Sequence, residues 1–297
     1  MKTITVFTPT FNRAYCLHLL YESLCQQLNQ DFEWMIIDDG SSDNTKQLVN
    51  GWIAENKISI TYIYKDNGGM HTGHNTAYEN IKTPLNVCID SDDYLTNNAV
   101  ALILKRWNSI EKDVENQKIA GIVGLDVFKT GKIVGTKFPE DLAFSTLTDI
   151  YEKYQIAGDK KLVLRTEIVN KYQRYPIYEG EKFVPLGILY LQIDQDYVLS
   201  CLNEPLCVVE YMTDGSSMNI FKQYKRHPQG FRYSRYIELK CYKKLKTKLI
   251  KILHLISSTL FIGDFRFFKN NSEKLLTFIL LPFGFVFHGY VLYKIKN

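Results

Sequence analysis

Two clusters of carboxylates are the residues of this sequence best placed to do chemistry. Asp38 and Asp39 follow the apolar pair 36–37, and a second cluster, Asp90, Asp92 and Asp93, follows the mainly apolar run 85–89. If that run is a strand that continues, Asp90 and Asp92 lie on the same side of it, because strand side chains alternate. Two such carboxylates can hold a hard cation such as Mg²⁺ or Mn²⁺ together with substrate phosphate oxygens.

Each cluster alone also has a simpler interpretation. Asp38 and Asp39 precede Gly40 and two serines, a composition that is common in turns between a strand and a helix. The second cluster alone is compatible with a solvated acidic turn. Adjacent carboxylates at the end of a buried strand are costly, however, unless a cation or a donor group pairs with them. Because both clusters follow predicted strands, together they favour one shared binding crevice.

The elements that would position these clusters alternate between strands and helices. The pattern predicts strands at 3–8, 33–38, 58–65, 85–90, 121–128 and 132–134. It predicts helices around 17–28 and 48–53, and at 99–110, 142–154 and 161–172. This order indicates an α/β fold with a mainly parallel central sheet and helices on both faces. Ligands of such sheets bind at the carboxyl ends of the strands, where the carboxylates lie.

The composition excludes several classes of protein. The 297 residues are 45% hydrophobic and 23% charged, which excludes a disordered tail, a collagen-like fibre and a coiled coil. The six cysteines form no C-x-x-C pair, which argues against a disulfide scaffold, a zinc site and a thioredoxin-like motif. Residues 1–7 do not match a secretory signal peptide, so we expect reduced thiols and a cytoplasmic location.

The charge is divided unevenly along the chain. The formal net charge is only +4, but residues 221–297 hold 16 Lys and Arg against three acids. The first 220 residues therefore hold 20 basic and 29 acidic residues. An acidic half suits cation and nucleotide binding, whereas a basic half suits an anionic partner.

Four segments in order resemble the family 2 glycosyltransferases, which are inverting nucleotide-sugar enzymes of the GT-A fold. They are TPTFNR at 8–13, IDDGSSD at 37–43, NGGMHTGHN at 67–75 and DSDD at 90–93. The resemblance is strong over 1–100 and weaker to about 220, and similar enzymes often make bacterial capsule, exopolysaccharide or cell-wall polysaccharide. It implies a catalytic domain at 1–220, with a nucleotide-binding half at about 1–118 and an acceptor half at about 119–220.

The resemblance also implies roles for individual residues. Phe11 would stack on uracil, Asp39 would accept a base N–H, and Asp92 would bind the metal together with Asp90. His74 stands where relatives often carry Arg. The full set of implied nucleotide contacts is Thr8, Pro9, Phe11, Asp38, Asp39, Asn67, Gly68, His74, Asp90 and Ser91. The implied cofactor is Mn²⁺ or Mg²⁺, and the implied donor is a UDP-sugar.

The general base of an inverting transfer takes the proton of the acceptor hydroxyl. The family places it about 20 residues before a strand that ends in a Glu-Pro-Leu-like turn, for which 203–206 (NEPL) is the match. This spacing implies Glu181, although Lys182 stands where the family usually has Asp. Glu179, and the acids Asp194 and Asp196, remain alternatives.

The C-terminal segment 221–297 is basic and apolar. Residues 222–251 hold 11 Lys and Arg and one acid, and 252–268 and 275–293 are mainly apolar. We expect a helical tail, without need of its own core, that attaches peripherally to the anionic inner face of the cell membrane. The alternatives are a helical layer that packs on the catalytic domain and a helix that spans the membrane. We do not expect this segment to bind nucleic acid. The acceptor would be a saccharide held on a lipid.

Other functions remain open at this point. A catalytically inactive subunit that binds a nucleotide sugar or a polysaccharide would use the same carboxylates. A sugar nucleotidyltransferase shares the fold class, but the Gly-rich, Arg-containing loop expected after its first strand is replaced by 8–13. The segment 211–217 is interpreted either as a loop that shapes the acceptor side or as a plain exit loop.

Overall fold

The chain divides into two compact units. The structure is a computed structural model that describes residues 2–113, 115, 118–210, 220–268 and 270–296, so the predicted loop at 211–217 lies outside the described residues. Unit 1 comprises Met1–Gln173 and Asp196–Met212, and unit 2 comprises Arg174–Gln195 and Thr213–Asn297. This division differs from the predicted boundary near 220, because residues 174–195 group with the C-terminal helices.

A single sheet organises unit 1. Among the described residues its strands are β1 (Ile4–Thr10), β2 (Phe32–Asp38), β3 (Ile60–Tyr64), β4 (Leu85–Cys88), β5 (Tyr94–Leu95), β6 (Ile119–Val127), β7 (Phe144–Ser145), β8 (Lys160–Arg165) and β9 (Val198–Val208). Their order is β3-β2-β1-β4-β8-β6-β9-β5, and β7 pairs with β9. The first four strands are parallel, and β8 runs antiparallel to both β4 and β6. The predicted α/β fold with a mainly parallel central sheet is therefore confirmed.

Helices cover the sheet because β1 and β2 are buried along both faces. The helices of unit 1 are α1 (Leu17–Cys25), α2 (Thr45–Glu55), α3 (Met70–Asn80), α4 (Ala99–Ile110), α5 (Leu147–Glu152) and α6 (Thr166–Val169). Apolar residues of α1, α2 and α4 form one core with Ile4, Val6 and Trp34. On the opposite face α3 packs closely, since a Cβ at Gly73 would lie 3.1 Å from the Pro9 side chain. Continuous apolar strands of this kind are typical of buried parallel sheets.

Two predicted helices of the second half were wrong. The segment 161–172 begins as strand β8, which pairs on both sides, and only α6 follows as a helix. The segment 142–154 begins as β7 and becomes helical only in α5. Pairing with neighbouring strands outweighs the local helical pattern here, as tertiary context often does.

The predicted turn at 203–206 was also wrong, because these residues lie within strand β9. The register against β6 shifts between Val123 and Leu125, which pair with Cys201 and Pro205. Proline is tolerated in strands at such irregularities because it lacks the N–H that regular pairing needs. The side chain of Asn203 accepts the backbone N–H of Phe138 through Oδ1 and donates to the Phe138 carbonyl through Nδ2, each at 2.9 Å.

Unit 2 is helical. Its helices are α7 (Gly187–Ile193), α8 (Ile220–Arg226), α9 (Pro228–Cys241), α10 (Leu245–Ile262) and α11 (Lys274–Lys296). Within it, Leu239, Ile252, Leu255 and Ile256 form a buried apolar cluster. Among the described residues, α11 alone is long and apolar enough to cross a membrane by length and composition.

Candidate functional site

The two acidic clusters lie at one edge of the parallel sheet. Strand β1 lies between β2 and β4. Thr10, the last residue of β1, pairs with Asp38, the last residue of β2. Just after β4, the N–H of Ile89 donates to the carbonyl of Phe7 at 3.0 Å. The residues that follow β2 and β4 therefore flank the end of β1, as the sequence predicts.

The second cluster lies in a turn rather than along a strand. Strand β4 ends at Cys88, and the N–H of Asp93 donates to the carbonyl of Asp90 at 3.0 Å. The prediction that strand alternation aligns Asp90 and Asp92 was therefore wrong. The two carboxylates still interact: burial raises the pKa of Asp90, and the charge of Asp92 raises it further, while Lys161 opposes both.

Lys161 of strand β8 lies beside this turn. Its Nζ is 3.9 Å from Oδ2 of Asp93. Burial lowers the pKa of Lys161, but Cys207, Asp126, Asp93 and Asp90 outweigh burial and hold the pKa well above its usual value. Burial raises the pKa of Asp93 to about 7, although Lys161 acts against this rise. One buried ammonium thus partly neutralises a group of carboxylates.

The residues of the turn fit a cation that is shared with a substrate. Among the described residues, no three His, Cys, Asp or Glu side chains are arranged to hold a metal ion. Asp90 and Asp92 supply two carboxylates whose mutual repulsion a cation would relieve. Magnesium-like cations are often bound by one or two carboxylates, with substrate phosphates and water completing the shell. The donor set of this turn is of that kind.

Asp39 organises the loop before α3. Its Oδ1 accepts hydrogen bonds from Lys65 Nζ and, at 3.0 Å, from the N–H of Gly68. Its Oδ2 accepts the N–H of Gly69 at 2.7 Å and Asn67 Nδ2 at 3.3 Å. Asn67, Gly68 and Asp39 are therefore brought together, as predicted for one site. A base N–H would have to share Asp39 with these donors, so its contact with a nucleotide stays a prediction.

Two residues that are predicted to contact the nucleotide make hydrogen bonds within unit 1. The side chains of Thr8 and Asp38 are fully buried. The hydroxyl of Thr8 accepts the indole N–H of Trp34 at 3.0 Å. Asp38 accepts the N–H of Ser41 at 2.7 Å through Oδ1 and the hydroxyl of Tyr62 through Oδ2. These hydrogen bonds hold the strand ends in place, and the nucleotide roles of Thr8 and Asp38 stay predictions.

The end of β1 presents one aromatic ring to solvent. Phe11 is 47% exposed, so its ring is available for stacking on a base, whereas Pro9 is buried and Ser91 is 8% exposed. Asn12, at φ +53°, accepts the N–H of Ser42 at 2.8 Å. This bond fixes the exit of β1 against the loop after β2. The nucleotide roles of Phe11, Pro9 and Ser91 stay predictions.

His74 lies in the interior of unit 1. It is 1% exposed on α3, edge-on to the ring of Phe7 at 5.1 Å, and its Nδ1 is 3.2 Å from the Tyr78 hydroxyl. Burial, aided by His71, lowers the pKa of His74 to about 3. The ring is therefore neutral at pH 7 and faces the interior, and its predicted nucleotide contact stays a prediction.

The predicted base Glu181 caps a helix. Its Oε1 accepts the N–H of Gln229 and its Oε2 the N–H of Gly230, each at 2.9 Å, at the first turn of α9. Carboxylates are favourable at helix N-termini because they satisfy unpaired N–H groups and the helix dipole. Glu179, the alternative, is exposed in the same unit.

The remaining acidic alternatives lie near residue 195. Asp196 belongs to unit 1 and is exposed, and its Oδ2 accepts the hydroxyl of Tyr172 at 3.2 Å. Asp194 belongs to unit 2 and follows α7. The choice of base among these acids stays a prediction.

Sequence reasoning missed Lys65, Tyr62 and Lys161. Lys161 was hidden because its segment carries a helical pattern, whereas β8 is a strand. Tyr62 and Lys65 lie on and just after β3, the strand beside β2, so the parallel order itself could have indicated them. An acid at the end of one strand requires a donor from its neighbour.

The chain belongs to glycosyl transferase family 2. The sequence profile of that family matches residues 5–163, which is more than half of the chain and includes β1, β2, β4 and the acidic turn. The predicted resemblance is thereby confirmed, and the sugar nucleotidyltransferase interpretation loses its support.

Two curated relatives match about a third of this chain. Teichoic acid poly(glycerol phosphate) polymerase of Staphylococcus epidermidis is 31% identical over 112 residues, 37% of this chain and 16% of the polymerase. Chondroitin synthase of Pasteurella multocida is 33% identical over 104 residues, 35% of this chain and 11% of the synthase. The chain thus covers less than a fifth of the length of either relative.

Solved structures share the fold at low identity. S. aureus TarS 1–349 has a TM-score of 0.58 and 18% identity, covering 96% of this chain and 80% of that chain. The same fragment in complex with UDP-GlcNAc has a TM-score of 0.56, with 18% identity and coverage of 89% and 73%. The mannosyltransferase PcManGT from Pyrobaculum calidifontis, in complex with GDP-Man and Mn²⁺, has a TM-score of 0.54, with 14% identity and coverage of 99% and 85%.

Proposed function

We propose that this protein is a metal-dependent inverting glycosyltransferase that moves a sugar from a UDP-sugar to a hydroxyl of a saccharide acceptor. The carrying observation is the acidic turn at 90–93, which lies beside the end of β1 and opposite the loop after β2. Family membership and the relatives named for polysaccharide and teichoic acid synthesis support a role in bacterial surface polymers.

The donor half of the proposal rests on unit 1. Phe11 stacks on the uracil ring, and Asp39 positions the loop at 67–69 so that it borders the base. A TarS fragment binds UDP-GlcNAc and PcManGT binds GDP-Man, so the fold is compatible with either base. Uridine is proposed because Asp39 matches the carboxylate that accepts a base N–H in the family.

Asp92 and Asp90 would hold Mn²⁺ or Mg²⁺ together with the diphosphate. When bound, the cation supplies positive charge that stabilises the leaving nucleoside diphosphate. Lys161 keeps the neighbouring Asp93 and Asp126 from adding unbalanced negative charge to the turn. The binding of Mn²⁺ by PcManGT is in keeping with this donor set.

Glu181 is proposed as the general base. It would accept the proton of the acceptor hydroxyl as that oxygen attacks the anomeric carbon from the side opposite the leaving UDP, which inverts the configuration. Each Glu181 oxygen accepts one N–H group of α9, which leaves a second lone pair on each oxygen that can accept the proton. Glu179 and Asp196 are the alternatives that mutagenesis must separate.

The acceptor is proposed to be lipid-linked, at the inner face of the cell membrane. The support is unit 2, where α11 exposes large apolar side chains such as Phe278, Phe283 and Val286. Exposed lysines, including Lys243, Lys244 and Lys246, precede α10 or lie in its first turn. Apolar area together with basic charge is what binds a helix to an anionic membrane surface.

The proposal is tested by measuring UDP release from UDP-sugars with Mn²⁺ or Mg²⁺. We expect the wild type to release UDP slowly in water, and Asp92→Asn to lose this activity. Absence of UDP release from every UDP-sugar, together with equal UDP binding by Asp92→Asn and wild type, would overturn the enzyme assignment. Release from GDP-sugars alone would overturn the uridine assignment.

A catalytically inactive nucleotide-sugar-binding subunit is the second candidate. The observation in its favour is that both Glu181 oxygens already accept backbone N–H groups. It predicts UDP-sugar binding with no release of UDP under any condition. The same UDP-release assay therefore separates the two candidates.

A further inference from the structure

Unit 2 contains a cavity of about 290 Å³ that the proposed donor site does not use. Tyr178, Tyr233 and Tyr236 line it together with Arg232, Arg266, Asp264 and two amide side chains. The volume is near the lower end of the roughly 300–1,000 Å³ typical of ligand pockets. A cavity of this size suits one sugar or polyol unit rather than a nucleotide sugar.

Positively charged side chains outnumber negatively charged ones in the lining of the cavity. Arg232 donates to the Asp264 carbonyl at 3.1 Å, and its NH2 lies 3.4 Å from Asp264 Oδ2. Arg266 donates through Nε to Oδ1 of the same carboxylate at 2.9 Å. Hydrogen bonds from Arg266 lower the pKa of Asp264 to about 2. Asp264 is therefore ionised, yet one carboxylate is shared by two guanidinium groups.

Guanidinium groups bind phosphate and carboxylate through paired N–H donors. Arg266 is 89% exposed and Arg232 only 16%, so Arg232 is held in the wall whereas Arg266 can turn toward a ligand. Glu181, a further carboxylate of this unit, is occupied by two backbone N–H groups of α9. The cavity thus favours an anionic ligand.

The tyrosines supply apolar faces and hydroxyl donors. Burial raises the pKa of Tyr178 to about 12 and also raises that of Tyr233, so both hydroxyls keep their protons. Among the described residues, neither hydroxyl takes part in a side-chain hydrogen bond. Amphipathic rings with available hydroxyls match the alternating C–H and O–H surface of a sugar.

The cavity adjoins the residue proposed as base. Gln229 lines the cavity and also donates its backbone N–H to Glu181 at 2.9 Å. Tyr178 is three residues before Glu181, and its carbonyl accepts the Glu181 N–H at 3.1 Å. A unit bound in the cavity would therefore lie beside Glu181 within the same compact unit.

We propose that this cavity is an acceptor subsite for a sugar or polyol unit that carries a phosphate or a carboxylate. The proposal rests on the proposed glycosyltransferase function for its biological meaning, but the binding itself does not. Arg266 and Arg232 pair with the anionic group, and the hydroxyls of Tyr178 and Tyr233 bond the hydroxyls of the unit. An anionic repeat is thereby selected over a neutral one.

The test is calorimetric binding of glucose 6-phosphate, glucuronate and glucose to the full chain, with saturating UDP and Mn²⁺ present to occupy the donor site. We expect at least one anionic probe to bind at least tenfold more tightly than glucose. Arg266→Gln should remove most of this preference. Tyr178→Phe with Tyr233→Phe should weaken all three probes. Lys129→Gln, which removes an exposed charge outside the cavity, is the matched control.

The outcomes separate this proposal from the proposed function. Equal binding of glucose and both anionic probes, or an unchanged preference in Arg266→Gln, overturns the subsite. Donor hydrolysis, measured on aliquots of the same preparations without added UDP, reports on the glycosyltransferase function. UDP release without an anionic preference refutes only the subsite, and an anionic preference without UDP release refutes only the transferase assignment. If phosphate alone is preferred and glucuronate is not, the ligand is a phosphorylated unit.

Discussion

Lys161 Nζ lies 3.9 Å from Oδ2 of Asp93, so a buried ammonium from β8 faces the acidic turn that follows β4. The two residues are far apart in sequence and meet because β8 pairs with β4. The acidic turn therefore depends on a strand that contributes no predicted ligand. Breaking a buried ion pair by removing one partner typically costs about 3–5 kcal/mol.

Lys161→Met should therefore lower the free energy of unfolding by about 3–5 kcal/mol at pH 7.5. The reason is that Asp90, Asp93 and Asp126 would lose the cation that balances them. Urea unfolding followed by circular dichroism measures the change. Lys105→Met, at an exposed position of α4, is the control and should be nearly neutral. Equal stability of both variants would contradict this account of the turn.

Gly40→Ala should disrupt the loop that Asp39 organises. Gly40 has φ +84°, and a Cβ there would lie 2.8 Å from the backbone nitrogen of Asn67. The strained backbone and the close contact would displace the loop at 67–69. We expect the free energy of unfolding to fall by an amount on the order of 1–3 kcal/mol. UDP affinity measured by calorimetry should fall along with stability.

Gly51→Ala is the matched control for this substitution. Gly51 lies inside α2, where an added Cβ would have nothing within 4 Å of it and the backbone has no positive φ. Alanine in a helix interior should stabilise by about 0.5–1 kcal/mol relative to glycine. Unchanged UDP binding in Gly40→Ala would remove the loop from the nucleotide site.

Glu181→Gln separates the two roles of this side chain. As a base, Glu181 should account for about 10²–10⁴-fold in the rate of transfer. As a cap of α9, it should account for about 1 kcal/mol of stability, since an amide replaces one acceptor. Transfer rate and thermal stability are measured on one preparation. A loss of stability with full transfer activity would leave Glu181 as a cap only.

Glu179→Gln and Asp196→Asn are the comparison variants for the base. Both side chains are exposed, so neither change should affect stability. We expect each to retain transfer if Glu181 is the base. A selective loss of transfer in either variant would move the assignment to that residue.

Stability should fall below pH 6.5 partly because of His74. Its folded pKa is about 3, below the unfolded value near 6.5, so the unfolded state binds more protons as the pH falls. Each pH unit below 6.5 then costs up to about 1.4 kcal/mol until the folded pKa is reached. His74→Gln should flatten the stability profile between pH 6.5 and 4. His18→Gln, at an exposed position, should leave it unchanged.

Attachment to membranes should depend on the exposed face of α11. Phe278→Glu with Val286→Glu places two acids at positions that are 66% and 75% exposed. Flotation with vesicles that contain anionic lipid should decrease strongly, because apolar area is lost and charge repulsion is gained. Leu28→Glu with Ile53→Glu, exposed positions of unit 1, is the control. Equal flotation of both pairs would refute the membrane proposal.

The sequence predicts the parallel part of the fold well because its strands are buried on both faces. The apolar runs of β1 and β2 alternate with helical patterns, and this combination indicates buried strands of a parallel sheet. Asp39, Asn67 and Gly68 were also predicted to belong together, and they do. Chain order along a parallel sheet carries this information, since strand ends share one edge.

The second half was predicted less well because its pairing is not local. The local sequence pattern of β8, which carries Lys160 and Lys161, predicts a helix. Only its antiparallel pairing with β4 and β6 makes it a strand. Burial of His74 was likewise not visible, because the position of α3 against Phe7 depends on packing. The cap that Glu181 forms on α9 joins segments about 50 residues apart, so no local sequence pattern could predict it.

Strand β9 gives the chain an unusual order of assembly. The polypeptide leaves unit 1 after Gln173, contributes Arg174–Gln195 to unit 2, and then returns to add β9 between β6 and β5. During synthesis the sheet therefore cannot be completed until the first segment of the helical unit has already emerged. Sheets closed by such distant segments fold slowly. We expect the nascent chain to expose an open edge at β6 until β9 arrives, a period in which chaperone binding would be most useful.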